Sequence, residues 1–127
     1  MSVVLVVEDN ALVTDAMRVL LESCGHEVVS AETVEEAVTR VEEHDPALVL
    51  LDLSLPDGHG LDALERYVAP GRRQPITVAL TGHDDPDLRE RCLRAGCRDV
   101  LLKPVPARKL MAMVNDWVGE AIERRSE

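Results

Sequence analysis

The sequence predicts an α/β fold, a doubly wound five-stranded parallel sheet with helices on both faces. Two observations predict it. Short apolar runs, several of them uninterrupted and β-branched, recur along the chain, the pattern of strands buried on both faces. Longer stretches of helical periodicity separate them. Strict alternation of the two folds as parallel strands joined by right-handed crossovers.

Val3-Val4-Leu5-Val6-Val7 is the first strand. A helix is expected from about Ala11 to Cys24, with Val13, Met17, Leu20, Leu21 and Cys24 on one face and Gly25 as its stop. Glu27 to Ala31 reads as the second strand. Thr33 followed by Glu36 is a capping-box pattern that opens a helix to about His44, and Asp45-Pro46 closes it. Ala47 to Leu51 is the third strand. Leu55 to Gly60 has loop chemistry, and a helix from about Gly60 to Val68 follows. Pro70 to Pro75 is a turn-rich connector to a fourth strand, Ile76 to Leu80. Asp84-Asp85-Pro86 starts a helix that ends near Gly96, with proline suited to its first turn. Val100 to Leu102 is the fifth strand. The last helix spans about Ala107 to Glu123, and Arg124 to Glu127 is expected to fray.

The chain of 127 residues suits a single domain over 1–127 with a core at about 3–123. With one Trp, one Tyr and no Phe, that core must be aliphatic. A formal net charge of −10 argues against direct nucleic-acid binding, which needs a basic footprint. Cys24, Cys92 and Cys97 lack a disulfide or metal spacing and read as reduced apolar filler in a cytoplasmic protein. The opening apolar run is too short for a signal peptide or a membrane span, so no membrane insertion is expected. His26, His44, His59 and His83 have no metal-ligand spacing.

Ligands of such sheets bind beyond the carboxyl ends of the strands. Glu8 and Asp9 follow the first strand, Asp52 the third, Thr81 and Gly82 the fourth, and Lys103 and Pro104 the fifth. An acidic residue after a strand commonly caps the next helix, and a lone Thr or Lys is commonly a cap or a solvated charge. Three carboxylates, a hydroxyl and an ammonium at one edge exceed what capping explains. Crowded carboxylates need protons or a cation, and Mg²⁺ takes a few carboxylates and keeps several waters. Lys103 and the Thr81 hydroxyl suit phosphoryl oxygens, so the chemistry that fits is phosphoryl transfer to a carboxylate.

With these residues in place, the chain resembles the receiver domain of bacterial two-component response regulators from Val3 to about Glu123. The resemblance implies a flavodoxin-like (βα)5 sheet of order 2-1-3-4-5. It implies Asp52, within Val49-Leu50-Leu51-Asp52-Leu53-Ser54-Leu55-Pro56-Asp57-Gly58, as the phosphoacceptor. Glu8 and Asp9 would be the acidic pair that holds Mg²⁺ with Asp52 and the Ser54 main-chain carbonyl, Asp9 more directly than Glu8. Thr81 would be the switch hydroxyl, Gly82 an open entrance, and Lys103-Pro104 a pair with a cis peptide bond. The implied partners are a sensor histidine kinase or histidine phosphotransfer protein, which carries the donor histidine, and a downstream target or a missing output domain. The first helix, starting beside the acidic pair, is a candidate partner surface. The chain would assist its own phosphorylation and dephosphorylation without being a turnover enzyme. One position departs from the pattern: Val100 stands where receivers carry the aromatic ring that swings inward with the Thr. Ser54 and His83 occupy the two positions that tune phosphoryl lifetime in that family, and His83 reads as an exposed loop residue.

Two other readings compete. A phosphorylation-independent interaction module of the same fold is motivated by Val100. A phosphatase with an aspartyl nucleophile would need a second Asp two residues on, where Ala11 and Ser54 stand instead.

Overall fold

The computed structural model describes residues 2–68, 71 and 73–125. Its elements, in order, are β1 (Val3–Val7), α1 (Ala11–Glu22), β2 (Glu27–Ala31), α2 (Val34–His44), β3 (Leu48–Asp52), β4 (Ser54–Leu55), β5 (Gly58–His59), α3 (Gly60–Tyr67), β6 (Ile76–Thr81), α4 (Pro86–Ala95), β7 (Asp99–Leu102) and α5 (Ala107–Arg125). The main sheet is parallel with order β2-β1-β3-β6-β7, which is the expected 2-1-3-4-5 when its five strands are counted in chain order. β4 and β5 form a separate antiparallel pair that begins at Ser54 and runs into the Leu55 to Gly60 segment, which the sequence presents as loop.

The alternation along each strand explains why the runs are apolar throughout. Val4, Val6, Leu48, Leu50, Val78 and Leu80 pack with α1 and α5 on one face. Leu5, Val7, Val49, Leu51 and Ala79 pack with α2, α3 and α4 on the other. Each face needs its own aliphatic set because side chains alternate with period two. The two aromatic residues, Tyr67 and Trp117, are both buried, one in each cluster.

Several boundaries differ from expectation for identifiable reasons. α1 ends at Glu22 because the amides of Cys24 and Gly25 already make tighter turn hydrogen bonds to Leu21 and Glu22, three residues back. Of its expected inner face only Met17 and Leu21 are buried; Leu20 and Cys24 are half-buried and Val13 is exposed, while Thr14 is buried instead. The α2 capping box forms with a shift: the Thr33 hydroxyl accepts from Glu36 N, but the Glu36 carboxylate accepts from Glu32 N. β3 and β6 each extend one residue further, so Asp52 and Thr81 are strand residues. Arg124 and Arg125 do not fray. Arg125 donates to the main-chain oxygens of Asp45 and Pro46, which fastens the end of α5 to the turn before β3. Ser126 and Glu127, with Pro70 and Arg72 of the expected connector, lie outside the described residues.

Candidate functional site

Parallel pairing brings the carboxyl ends of β1, β3, β6 and β7 to one edge, and the sequence-predicted residues meet there. Asp52 ends the central strand and is buried. Its Oδ2 accepts from Lys103 Nζ at 2.9 Å and its Oδ1 from the Ser54 amide at 3.0 Å. Glu8 is buried beside it, accepting from the Asn10 amide at 3.2 Å and from Lys103 Nζ at 3.2 Å. Asp9 is exposed at the rim.

Capping does not account for these acids. The α1 cap is Asn10, whose Oδ1 accepts from Leu12 N and Val13 N, so Glu8 and Asp9 are not spent on the helix. Each of Glu8, Asp9 and Asp52 offers an oxygen within 4.8 Å of the others. Burial, then the neighbouring Asp52 carboxylate, pushes the Glu8 carboxyl above its usual range. Burial by itself would lower the Lys103 ammonium, but the Asp52 and Glu8 carboxylates outweigh it and hold the group above its ordinary value. One ammonium pairs with Asp52 and Glu8, and Asp9 adds a third carboxylate, so the cluster retains negative charge and an all-oxygen donor set. That composition fits a hard divalent cation such as Mg²⁺.

Thr81 is buried, with its hydroxyl accepting from the His83 amide at 3.1 Å. The Lys103 amide donates to the Thr81 carbonyl at 2.7 Å, and Lys103-Pro104 is cis. Thus β6 and β7 deliver hydroxyl and ammonium from adjacent strands. A Cβ at Gly82 would meet nothing within 4 Å, so the chain itself does not demand glycine there. Val100 is half-buried on β7 and lines, with Thr81, Leu88 and Leu102, a slot of about 190 Å³. His83 is exposed. Among the described residues, Glu8, Asp9 and Asp52 are the one group arranged to hold a metal, and no histidine joins it.

Sequence reasoning missed three contributors. Gly60 begins α3 directly against β3: a Cβ there would overlap the Asp52 carbonyl oxygen and crowd Leu53 Cα at 3.0 Å. The sequence presents this glycine as the end of a loop and the start of a helix, with no sign of its approach to Asp52. His59 caps α3, its Nδ1 accepting from Leu61 N at 3.1 Å. Asp57 reaches α2, a contact that no local pattern announces.

A family model described as the response regulator receiver domain matches residues 4–115. The chain belongs to the response-regulator receiver family. It is 36% identical over 123 residues to the transcriptional regulatory protein PhoP of Escherichia coli, covering 97% of this chain and 52% of that protein. The receiver domain thus spans about half the length of the curated relatives it matches. Its structure is similar to the CheY-like receiver domain protein of Methanospirillum hungatei, with TM-score 0.88, 28% identity and 98% coverage of each chain. The BeF3-activated receiver domain of Klebsiella pneumoniae RstA gives TM-score 0.83 at 26% identity, covering 92% of this chain and 98% of that one. Phosphorylation-based switching is the general function of receivers. Among the described residues no helix is long and apolar enough to cross a membrane.

Proposed function

We propose that this receiver accepts a phosphoryl group from a phosphohistidine partner onto Asp52, in a Mg²⁺-dependent reaction, and acts as a cytoplasmic switch in a two-component phosphorelay. The observation that carries the reading is Asp52 itself: a buried carboxylate at the end of the central strand, held by Lys103 and crowded by Glu8 and Asp9.

In this reading an Asp52 oxygen forms a bond to phosphorus as the donor's N–P bond breaks, and the imidazole leaves with that electron pair. Glu8, Asp9, Asp52 and the Ser54 main-chain carbonyl would hold Mg²⁺, which would supply neutralising positive charge there. Lys103 holds a second phosphoryl oxygen as a point charge. The Thr81 hydroxyl turns its proton toward a third. The side chains position and stabilise charge, which is what phosphoryl transfer asks of a protein. The chain carries the product and is not a turnover enzyme.

The donor is a sensor histidine kinase or a histidine phosphotransfer protein, and the receiver acts on a downstream target or an output domain. The net charge of −10 argues against nucleic-acid binding by this domain itself. The donor would seat on the groove of about 500 Å³ beside Lys103, between α1 and the start of α5. Leu12, Val13, Leu20, Pro104, Val105 and Leu110 line it, and Leu12 is 80% exposed.

Labelling with a small acyl phosphate in the presence of Mg²⁺ tests the reading. Wild type is expected to gain one phosphoryl group and Asp52→Ala none; retention of the label in Asp52→Ala would refute it. Val100 favours a second reading, a phosphorylation-independent interaction module. Partner affinity unchanged by Asp52→Ala and by removal of Mg²⁺ would favour that module.

A further inference from the structure

We infer that Asp57 is a positioning residue for the cation site: its carboxylate clamps the β4–β5 hairpin onto the start of α2 and thereby fixes Ser54 beside Asp52. The inference rests on the proposed role of Asp52 and the Ser54 main chain in holding Mg²⁺.

The first amides of a helix have no partner within it. At α2 they are satisfied from two sources. Thr33, the local cap, takes Glu36 N at 3.0 Å. Asp57, more than twenty residues away in sequence, takes Val34 N at 2.8 Å through Oδ1 and Glu35 N at 3.3 Å through Oδ2. A carboxylate is favoured at a helix N-terminus. The amide of Val34, more than any other group, holds the Asp57 carboxyl below its usual range.

The hairpin needs such an anchor. It pairs only Ser54 with His59 and Leu55 with Gly58, too little to be stable by itself. Its base is tied to the phosphoacceptor strand, Ser54 N to Asp52 Oδ1 at 3.0 Å and Gly60 N to Leu53 O at 2.9 Å. Its tip is tied by Asp57. The tip lies close to the start of α2: a Cβ added at Gly58 would stand 3.6 Å from Val34 Cγ2. Ser54 therefore stands between two fixed points, one of which belongs to a different helix. Loss of the tip anchor lets the hairpin swing about its base, and the main chain at Ser54 moves relative to Asp52.

Thr33 supplies the control, because it caps the same helix and its side chain makes no hydrogen bond to the hairpin. Mg²⁺ alone is titrated into the whole chain and followed by NMR amide shifts, with hydrogen exchange at the Ser54 amide measured in metal-free protein. Asp57→Ala is expected to weaken Mg²⁺ binding roughly tenfold, the range for residues that orient a metal ligand. It is also expected to speed exchange at Ser54. Thr33→Ala is expected to lower the urea midpoint similarly while Mg²⁺ affinity stays within about twofold. Asp57→Asn, which keeps one acceptor oxygen, recovers part of the loss. Equal weakening by Thr33→Ala and Asp57→Ala would reduce Asp57 to a helix cap and overturn the inference. Unchanged affinity and exchange in Asp57→Ala would overturn it as well. Absence of Mg²⁺ binding in wild type would overturn the cation reading together with the inference, a result distinct from either of these.

Discussion

Lys103 Nζ lies 2.9 Å from Asp52 Oδ2 and is shared with Glu8, so one ammonium stands on the carboxylates that a cation would use. Its two proposed contributions have opposite signs. As a phosphoryl contact it promotes transfer; as a resident positive charge it opposes Mg²⁺. Lys103→Met is therefore expected to slow labelling of Asp52 by at least about 100-fold, the cost of losing one preorganised electrostatic contact. The same variant is expected to bind Mg²⁺ about tenfold more tightly, through removal of a nearby like charge. Labelling rates and Mg²⁺ titrations on the one variant check both.

Gly60→Ala tests the contact between α3 and the phosphoacceptor strand. The new methyl meets main-chain atoms of Asp52 and Leu53, which cannot rotate away as a side-chain tip can. The expected loss is about 1–3 kcal/mol by urea unfolding, the usual cost of overpacking. Trp117, the sole Trp, reports the transition from within the core.

Tyr67 and Thr77 share a buried hydrogen bond of 2.6 Å between hydroxyls, and burial pushes the Tyr67 phenol up. Tyr67→Phe leaves the Thr77 oxygen without that partner and is expected to cost about 1–3 kcal/mol. Adding Thr77→Val removes the orphaned group, so the double variant should regain part of the loss. A double-mutant cycle measures it.

Cys92 and Cys97 sit where the last turn of α4 closes. Cys97 N donates to Cys92 O at 3.0 Å and Gly96 N to Leu93 O at 3.2 Å, which is the Schellman pattern, and the two side chains form its apolar contact. Burial pushes the Cys97 thiol up to about 12 and raises Cys92 as well. Both remain thiols at pH 8. A thiol reagent at that pH is expected to modify half-buried Cys24 first and the other two only on unfolding. Timed mass spectra, with and without urea, check the order.

Asp57 predicts a pH dependence. Its folded-state carboxyl lies below the unfolded value of roughly 3.9, so its stabilisation is present above that value and lost as pH falls through the folded one. The gap in urea midpoint between wild type and Asp57→Asn is expected to be widest above about pH 5 and to shrink on acidification. A pH series of unfolding curves checks this.

Much of the site was legible because its residues directly follow or end apolar runs. Val3 to Val7 and Leu48 to Leu51 read as strands buried on both faces, and parallel topology then sends Glu8, Asp9, Asp52, Thr81 and Lys103 to one edge. Val100 was equally legible as a departure from the family pattern. The inner face of α1 was read less well. Periodicity ranks residues by hydropathy, and it cannot tell a face packed on the sheet from one left open beside α5, where Val13 and Leu20 lie.

The sequence by itself determined the fold class, the sheet order through family resemblance, and the set of polar residues at the strand ends. Those depend on period and on chain order, which are local or topological properties. Only the tertiary structure decided that Gly60 must be bare to lie against Asp52 and that Asp57 fastens onto α2. Each of these is a contact between main-chain groups and a residue whose partner is chosen by packing. A loop aspartate has many helix ends it could cap, and the assembled layers bring just one of them within hydrogen-bond reach.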